Sequence, residues 1–229
     1  DPKTATESQI AEMMVGRPVQ LIVDKKAHAP GEVVLEVKDL SVLDADGRTM
    51  VDSVSFSVRA GEVVGIAGVQ GNGQTELVDA LTGLRNSTRG TVALDGQDIT
   101  SASPRVRHAK GIAHIPEDRQ RQGLVGGLSV AENLVLTRYH DEEFSNGIIM
   151  DWPAAHHAAE NLIAEYDVRT PSPDIEANTL SGGNQQKVIV ARELSRPLRL
   201  SIAAQPTRGV DVGSIEYIHS RIIKERDTG

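Results

Sequence analysis

Cysteine is absent from the 229 residues, which excludes disulfides and leaves the redox compartment unrevealed. Aromatic residues are scarce: one Trp, three Tyr and two Phe are too few for base-stacking platforms. Positive charge is in deficit. With 24 Lys and Arg against 32 Asp and Glu, the formal net charge of -8 argues against a broad nucleic-acid surface. No apolar run reaches the roughly 18 residues of a bilayer-spanning helix. What remains is ordinary: 39% hydrophobic and 24% charged residues, enough for one sizeable core, or one core with a subdomain.

Residues 1–31 differ in texture from the rest. A short helix is predicted over 8–15 with Ser8 as its cap, followed by polar sequence that reads as a linker. From Glu32 the pattern changes. Val33, Leu35 and Val37 alternate with Val34, Glu36 and Lys38, and Val54, Phe56 and Val58 alternate with serines, so both stretches read as strands. Residues 62–67 (EVVGIA) predict a short strand of the kind buried in a parallel sheet. Further strands are predicted over 91–94, 111–115 and 198–204, the first closed by the turn pair Asp95-Gly96. Helices are predicted after Thr75, from the capping-box spacing of Ser129 and Glu132, from Pro153 to about Asp167, over 181–194 and over 213–226. Strand–helix alternation around a helix-rich middle implies an α/β core with a helical insertion.

Residues 68–75 (GVQGNGQT) lie between a predicted strand and a predicted helix. Backbone N–H groups of such a turn, with the helix N-terminus, can face phosphate oxygens. Gly68, Gly71 and Gly73 permit the tight turn, and Thr75 offers a hydroxyl for Mg²⁺. The spacing fits G-x-x-x-x-G-K-[ST] at every fixed position but one, where Gln74 replaces Lys. A neutral amide there stabilises transition-state phosphate charge less than an ammonium does.

Residues 180–187 (LSGGNQQK) open a helix, with Ser181 as cap and Gly182 and Gly183 exposing N–H groups at its positive end. This stretch resembles the signature of ABC ATPases, usually LSGGQ, with Asn184 in the Gln position. Residues 32–229 follow that family's motif order. The 68–75 loop matches its Walker A motif, so Gly68, Gly71, Asn72, Gly73, Gln74, Thr75 and the adjoining Glu76 are the candidate nucleotide contacts. Residues 115–124 (IPEDRQRQGL) look like the Q-loop region of sugar-type importers, with Glu117 at the usual Gln position. Residues 205–212 (QPTRGVDV) resemble the end of Walker B and the D-loop, which contains Asp211.

The resemblance implies a P-loop NTPase (RecA-like) α/β core, an ABC-type antiparallel β-subdomain and an inserted helical signature subdomain over about 118–197. It is closest to importers of simple sugars and nucleosides, whose ATPase carries two tandem nucleotide-binding domains. It therefore implies ATP and Mg²⁺ as cofactors and a peripheral position on the cytoplasmic face of the inner or plasma membrane. The implied partners are an N-terminal nucleotide-binding domain of the same polypeptide, transmembrane permease subunits and, indirectly, a solute-binding protein. Residues 1–31 would join the two halves, and 32–229 would be the C-terminal ATPase domain, ending before the strand with the switch histidine; His219 comes too early for that role.

Several positions depart from the family pattern. Ala204 and Gln205 stand where Walker B ends in Asp-Glu, so a Mg²⁺-supporting carboxylate and a water-polarising carboxylate are both replaced. Loss of general-base help typically costs about 10²–10⁴ in rate. No aromatic residue lies between Ser41 and Ser55, where the family places an adenine-stacking ring. The expectation is a half-site with little hydrolysis of its own, whose Ser181, Gly182, Gly183 and Asn184 complete the partner half's ATP site. Alternatives are a self-sufficient ATPase that tolerates Gln74, and an ABC ATPase of DNA-repair type. The latter would show coiled-coil heptads, zinc cysteines or a basic face. His156-His157 lack zinc-type spacing, Arg119, Arg121 and Gln122 read as a solvated loop, and Asp141-Glu142-Glu143 as an acidic turn.

Overall fold

The computed structural model describes residues 27–228, together with Thr6, Glu12, Met13 and Lys25. Most of the helix predicted over 8–15, and of the stretch read as a linker, lies outside the described residues. The chain divides into two compact units. A β unit comprises 27–114, Arg196–Ala204 and 224–228, and a helical unit comprises Ile115–Ser195 and Gln205–Ile223.

In the β unit, β1 (Val33–Leu43), β2 (Thr49–Arg59), β3 (Arg89–Leu94) and β4 (Gln97–Asp98) form an antiparallel sheet in the order β2-β1-β3-β4. Val37 lies opposite Phe56 on one side and Val92 on the other. The period-two pattern is interrupted where Asp39 takes φ 47° and the register shifts between Val37 and Leu40, which returns Leu40 to the buried face. Asp95 and Gly96, at φ 48° and 73°, make the two-residue turn from β3 to β4, whose positive dihedrals match the twist of the flanking strands.

Helix α1 (Gln74–Thr82) lays Leu77, Ala80 and Leu81 onto this sheet's core beside Val37, Val92 and Ile99. Helix α2 (Pro104–Ala109), capped by Ser103, was not predicted; it is too short for a periodic signal. Strands β5 (Ile112–Ile115) and β8 (Leu200–Ala203) pair as a two-stranded sheet.

The strand predicted over 62–67 is not formed. Residues 62–69 carry no regular structure, and Val63, Val64, Ile66 and Val69 are 56%, 39%, 56% and 73% exposed. An apolar run supplies the side chains of a buried strand but not its ladder. Among the described residues β5 and β8 bond only to each other, so the segment has no paired neighbour.

The helical unit holds α3 (Val130–Val135), the short β6–β7 hairpin (Ser145–Asn146, Ile149–Met150), α4 (Trp152–Glu165), α5 (Gly182–Leu194) and most of α6 (Val212–Thr228). The predicted capping box is present: Glu132 N–H donates to Ser129 Oγ at 3.1 Å, and Ser129 N–H donates to Glu132 Oε2 at 2.7 Å. Helix α4 starts at Trp152 with Pro153 in its first turn and Asp151 capping it.

Helix α5 is the unit's centre, buried from Gln185 to Leu194. That burial includes polar side chains, and each needs partners. Arg192 donates to Glu193 Oε1 at 2.9 Å and to the Gly123 carbonyl at 2.9 Å. Lys187 donates to the Asp167 carboxylate at 2.6 Å and carbonyl at 2.7 Å, and its ammonium lies 4.8 Å from the Tyr217 ring centre. Among the described residues no helix is long and apolar enough to cross a membrane.

Candidate functional site

The glycine-rich loop belongs to the β unit. Gly71 and Gly73 take φ 90° and 92°, the left-handed region that only glycine enters freely. A Cβ on Gly73 would strike the Met50 carbonyl of β2, so the loop's close approach to the sheet also demands glycine. Gly73 caps α1 without a side-chain hydrogen bond, so the first turn presents backbone and helix dipole rather than a capping side chain. Asn72 and Thr75 are exposed at this end, and Glu76 sits in the first turn.

The arrangement fits an acceptor-only anion such as a phosphate. The side-chain chemistry fits it less well. The Gln74 amide folds back onto Gly68, where any Cβ would overlap it. It supplies no charge. Thr75 offers the hydroxyl that would hold a phosphate-bound Mg²⁺. Among the described residues no group of three or more His, Cys, Asp or Glu could hold a metal ion by itself.

The other candidate residues belong to the helical unit, where they form one connected cluster. Glu117 Oε1 accepts from Gln205 Nε2 at 3.1 Å and from Arg208 at 2.6 Å. Gln205 adopts φ 46°, an uncommon backbone state for a residue with a side chain. The Gln205 carboxamide and the Glu117 carboxylate are thus hydrogen-bonded to each other.

A tight turn of π-helical type (Arg119–Gly123) follows, capped by the Asp118 carboxylate. Arg119 donates to the carbonyls of Arg208 at 2.8 Å and Gly209 at 3.2 Å. The expectation of a wholly solvated loop holds for Arg121 and Gln122, which are exposed, but not for half-buried Arg119. Its only sequence signal was its place two residues after Glu117.

The signature lies against this cluster. Ser181 caps α5. A Cβ on Gly182 would come within 2.7 Å of the Arg119 guanidinium and 3.2 Å of the Gly209 carbonyl. A Cβ on Gly183 would run into the Asp211 carboxylate and the Ser214 hydroxyl. A side chain at either glycine would thus displace Arg119, or Asp211 and Ser214. Asp211 in turn accepts the Ser214 N–H at 2.9 Å and its hydroxyl at 2.7 Å. Burial pushes the Asp211 pKa up, but these two bonds and the charge of Lys187 outweigh it, so the carboxyl sits below its ordinary value.

Comparison with known proteins bears on this geometry. The family described as ABC transporter matches residues 51–208. The nucleoside import ATP-binding protein NupA of Lactococcus lactis is 48% identical over 224 residues, covering 98% of this chain and 44% of that protein. The guanosine import ATP-binding protein NupO of Bacillus subtilis is 45% identical over 229 residues, covering all of this chain and 45% of that protein. The ribose import ATP-binding protein RbsA of Chromobacterium violaceum is 38% identical over 92% of this chain and 41% of its own length. The chain thus spans under half the length of these relatives.

Among solved structures, the ATP-binding cassette MJ1267 of an ABC transporter superposes with a TM-score of 0.71 at 23% identity, covering 86% of this chain and 78% of that one. The cassette MJ0796, in a dimeric post-hydrolysis state with ADP and Pi, gives 0.69 at 22% identity, covering 85% and 83%. These two likenesses establish the P-loop ATPase cassette fold.

Proposed function

The chain belongs to the ABC transporter family, and from that premise we propose that it is the C-terminal ATP-binding half of an importer ATPase for nucleosides or simple sugars. The names of its relatives support that cargo class, and their length leaves room for a second, N-terminal nucleotide-binding domain. In this reading the chain works at the cytoplasmic face of the membrane with permease subunits, and a solute-binding protein delivers the cargo to them. Its own site binds ATP and Mg²⁺ weakly and hydrolyses ATP poorly or not at all.

Its main catalytic contribution is to the partner half. Ser181, Gly182 and Gly183 grip the triphosphate held there. The observation that carries this reading is a contrast between two ends of the same chain. The signature tip is fully built, with its glycines seated against Asp211, Ser214 and Arg119. The phosphate loop has a neutral amide folded over its first glycine, and the two Walker B positions hold Ala204 and Gln205.

The test is ATP turnover by this chain alone and by the full two-domain polypeptide. Turnover confined to the two-domain protein, and abolished there by Ser181→Arg, is the expected result. Robust hydrolysis by the isolated chain overturns the proposal.

A further inference from the structure

We propose that Asn184 is a positioning residue that fixes the Ser181 hydroxyl as an outward hydrogen-bond donor to a phosphate oxygen. The inference rests on the signature role just proposed and names the side chain that sets its polarity. Asn184 donates from Nδ2 to Ser181 Oγ at 3.1 Å, and its backbone N–H donates to the same oxygen at 3.5 Å. A hydroxyl oxygen has two lone pairs and one hydrogen. With both lone pairs facing donors, the hydrogen is left as the group Ser181 can offer. Ser181 is exposed, so a ligand at the helix tip can take that hydrogen. A fully ionised phosphate accepts and never donates, and it matches this polarity.

The amide cannot turn over. Its Oδ1 accepts the Arg169 backbone N–H at 2.9 Å, and a flipped amide would set Nδ2 against that donor. The Arg169 N–H thus orients the amide, and the amide orients the hydroxyl. Asn at this position reaches its own cap three residues back, the short-range reach for which Asn is suited.

Asn184→Asp is nearly isosteric and reverses the polarity. One carboxylate oxygen still accepts from Arg169. The other takes the hydrogen of Ser181 and withdraws it from phosphate. The variants Asn184→Asp, Asn184→Ala, Ser181→Ala and Ser181→Ala with Asn184→Asp are compared in the full-length polypeptide assembled with its permease.

The expected result for Asn184→Asp is a fall in kcat of about tenfold to a hundredfold, the factor that one charge-assisted hydrogen bond supplies. KM for ATP stays within about threefold, because the partner's own loop holds the nucleotide. Asn184→Ala, whose hydroxyl is free to rotate, loses less; it keeps the test open should the Asp variant melt early. In the Ser181→Ala background Asn184→Asp does not lower kcat further, since there is no hydroxyl left to orient.

Wild-type turnover by Asn184→Asp overturns the inference. So does a loss that persists undiminished in the Ser181→Ala background, which marks a purely structural role. Full activity of Ser181→Ala overturns the signature reading itself, an outcome distinct from the other two.

Discussion

Replacement of Arg107 by Met should destabilise the β unit. Arg107 lies on α2, is 2% exposed, and donates to four carbonyls. Nε reaches Ala102 at 2.9 Å, Nη1 reaches Ala80 and Leu81 at 2.8 Å each, and Nη2 reaches Thr100 at 2.8 Å. Ala80 and Leu81 lie in the last turn of α1, where carbonyls run short of intrahelical donors; Ala80 also accepts the Gly83 N–H at 3.4 Å. A buried guanidinium there satisfies them and complements the negative end of the dipole. Gly83 makes the room: its φ is 81°, and a Cβ on it would come within 2.9 Å of Arg107 Nε.

Burial holds the Arg107 pKa below its ordinary value, with partial compensation from the Asp98 charge, yet a guanidinium stays protonated at neutral pH. Methionine fills much of the volume and supplies no donor. Each lost bond is worth about 1 kcal/mol net, and more when a buried carbonyl is left unpaired. Allowing for some rehydration, the loss is about 3–5 kcal/mol. For a chain of this size that lowers Tm by about 6–20 °C. Urea denaturation followed by circular dichroism measures it, with the slope m as a check that the unfolded state is unaltered. A loss below about 1 kcal/mol at unchanged m would refute the idea that Arg107 anchors the far end of the phosphate-loop helix.

Gln74→Lys should raise ATP affinity about tenfold by adding a full charge at the β- and γ-phosphates, as a fluorescent-nucleotide titration would read. It should not restore turnover unless Ala204→Asp and Gln205→Glu accompany it; phosphate release by the single variant would contradict this. The β unit should also lose stability in acid through Asp95. The Arg199 guanidinium, at 2.7 Å and 2.9 Å, holds that carboxyl below its ordinary value. A depressed folded pKa stabilises fully above the unfolded value near 4, and that contribution disappears as pH falls through the lower folded value. Asp95→Asn should therefore flatten part of the Tm decline below about pH 4; parallel Tm curves for the two proteins would show that the pair contributes nothing.

Most elements were legible because their signals are local. Ser129 and Glu132 announce a capping box, Asp95-Gly96 a two-residue turn, and Ser181 a helix start, each through hydrogen bonds that reach only a few residues. The misread strand over 62–67 shows the converse. Its apolar run is real, but strand formation depends on neighbours distant in sequence, and no window of side chains encodes them. Arg107 and Arg119 were missed for the same reason. Two of Arg107's four partner carbonyls are 26 and 27 residues away, and those of Arg119 are 89 and 90 residues away. Carbonyls are identical at every position, so an arginine that seeks them leaves no mark in the sequence.

The two glycines of the signature illustrate how a motif can answer two demands at once. Backbone N–H groups can reach a phosphate only if no side chain shields them, and this alone would favour Gly182-Gly183. The fold adds a second demand, because a Cβ would push into the side chains of Arg119, Asp211 and Ser214. The consequence is rigidity. A helix tip pressed against charged and hydrogen-bonded neighbours cannot wander, so its donors stand in place before any ligand arrives, and little ordering entropy remains to be lost on binding. Lys187, held by Asp167 and the Tyr217 ring one turn further along, extends that fixation down α5. On the function proposed above, a domain with Gln74 in its phosphate loop can still serve a neighbour, since what it presents is geometry already fixed by its interior.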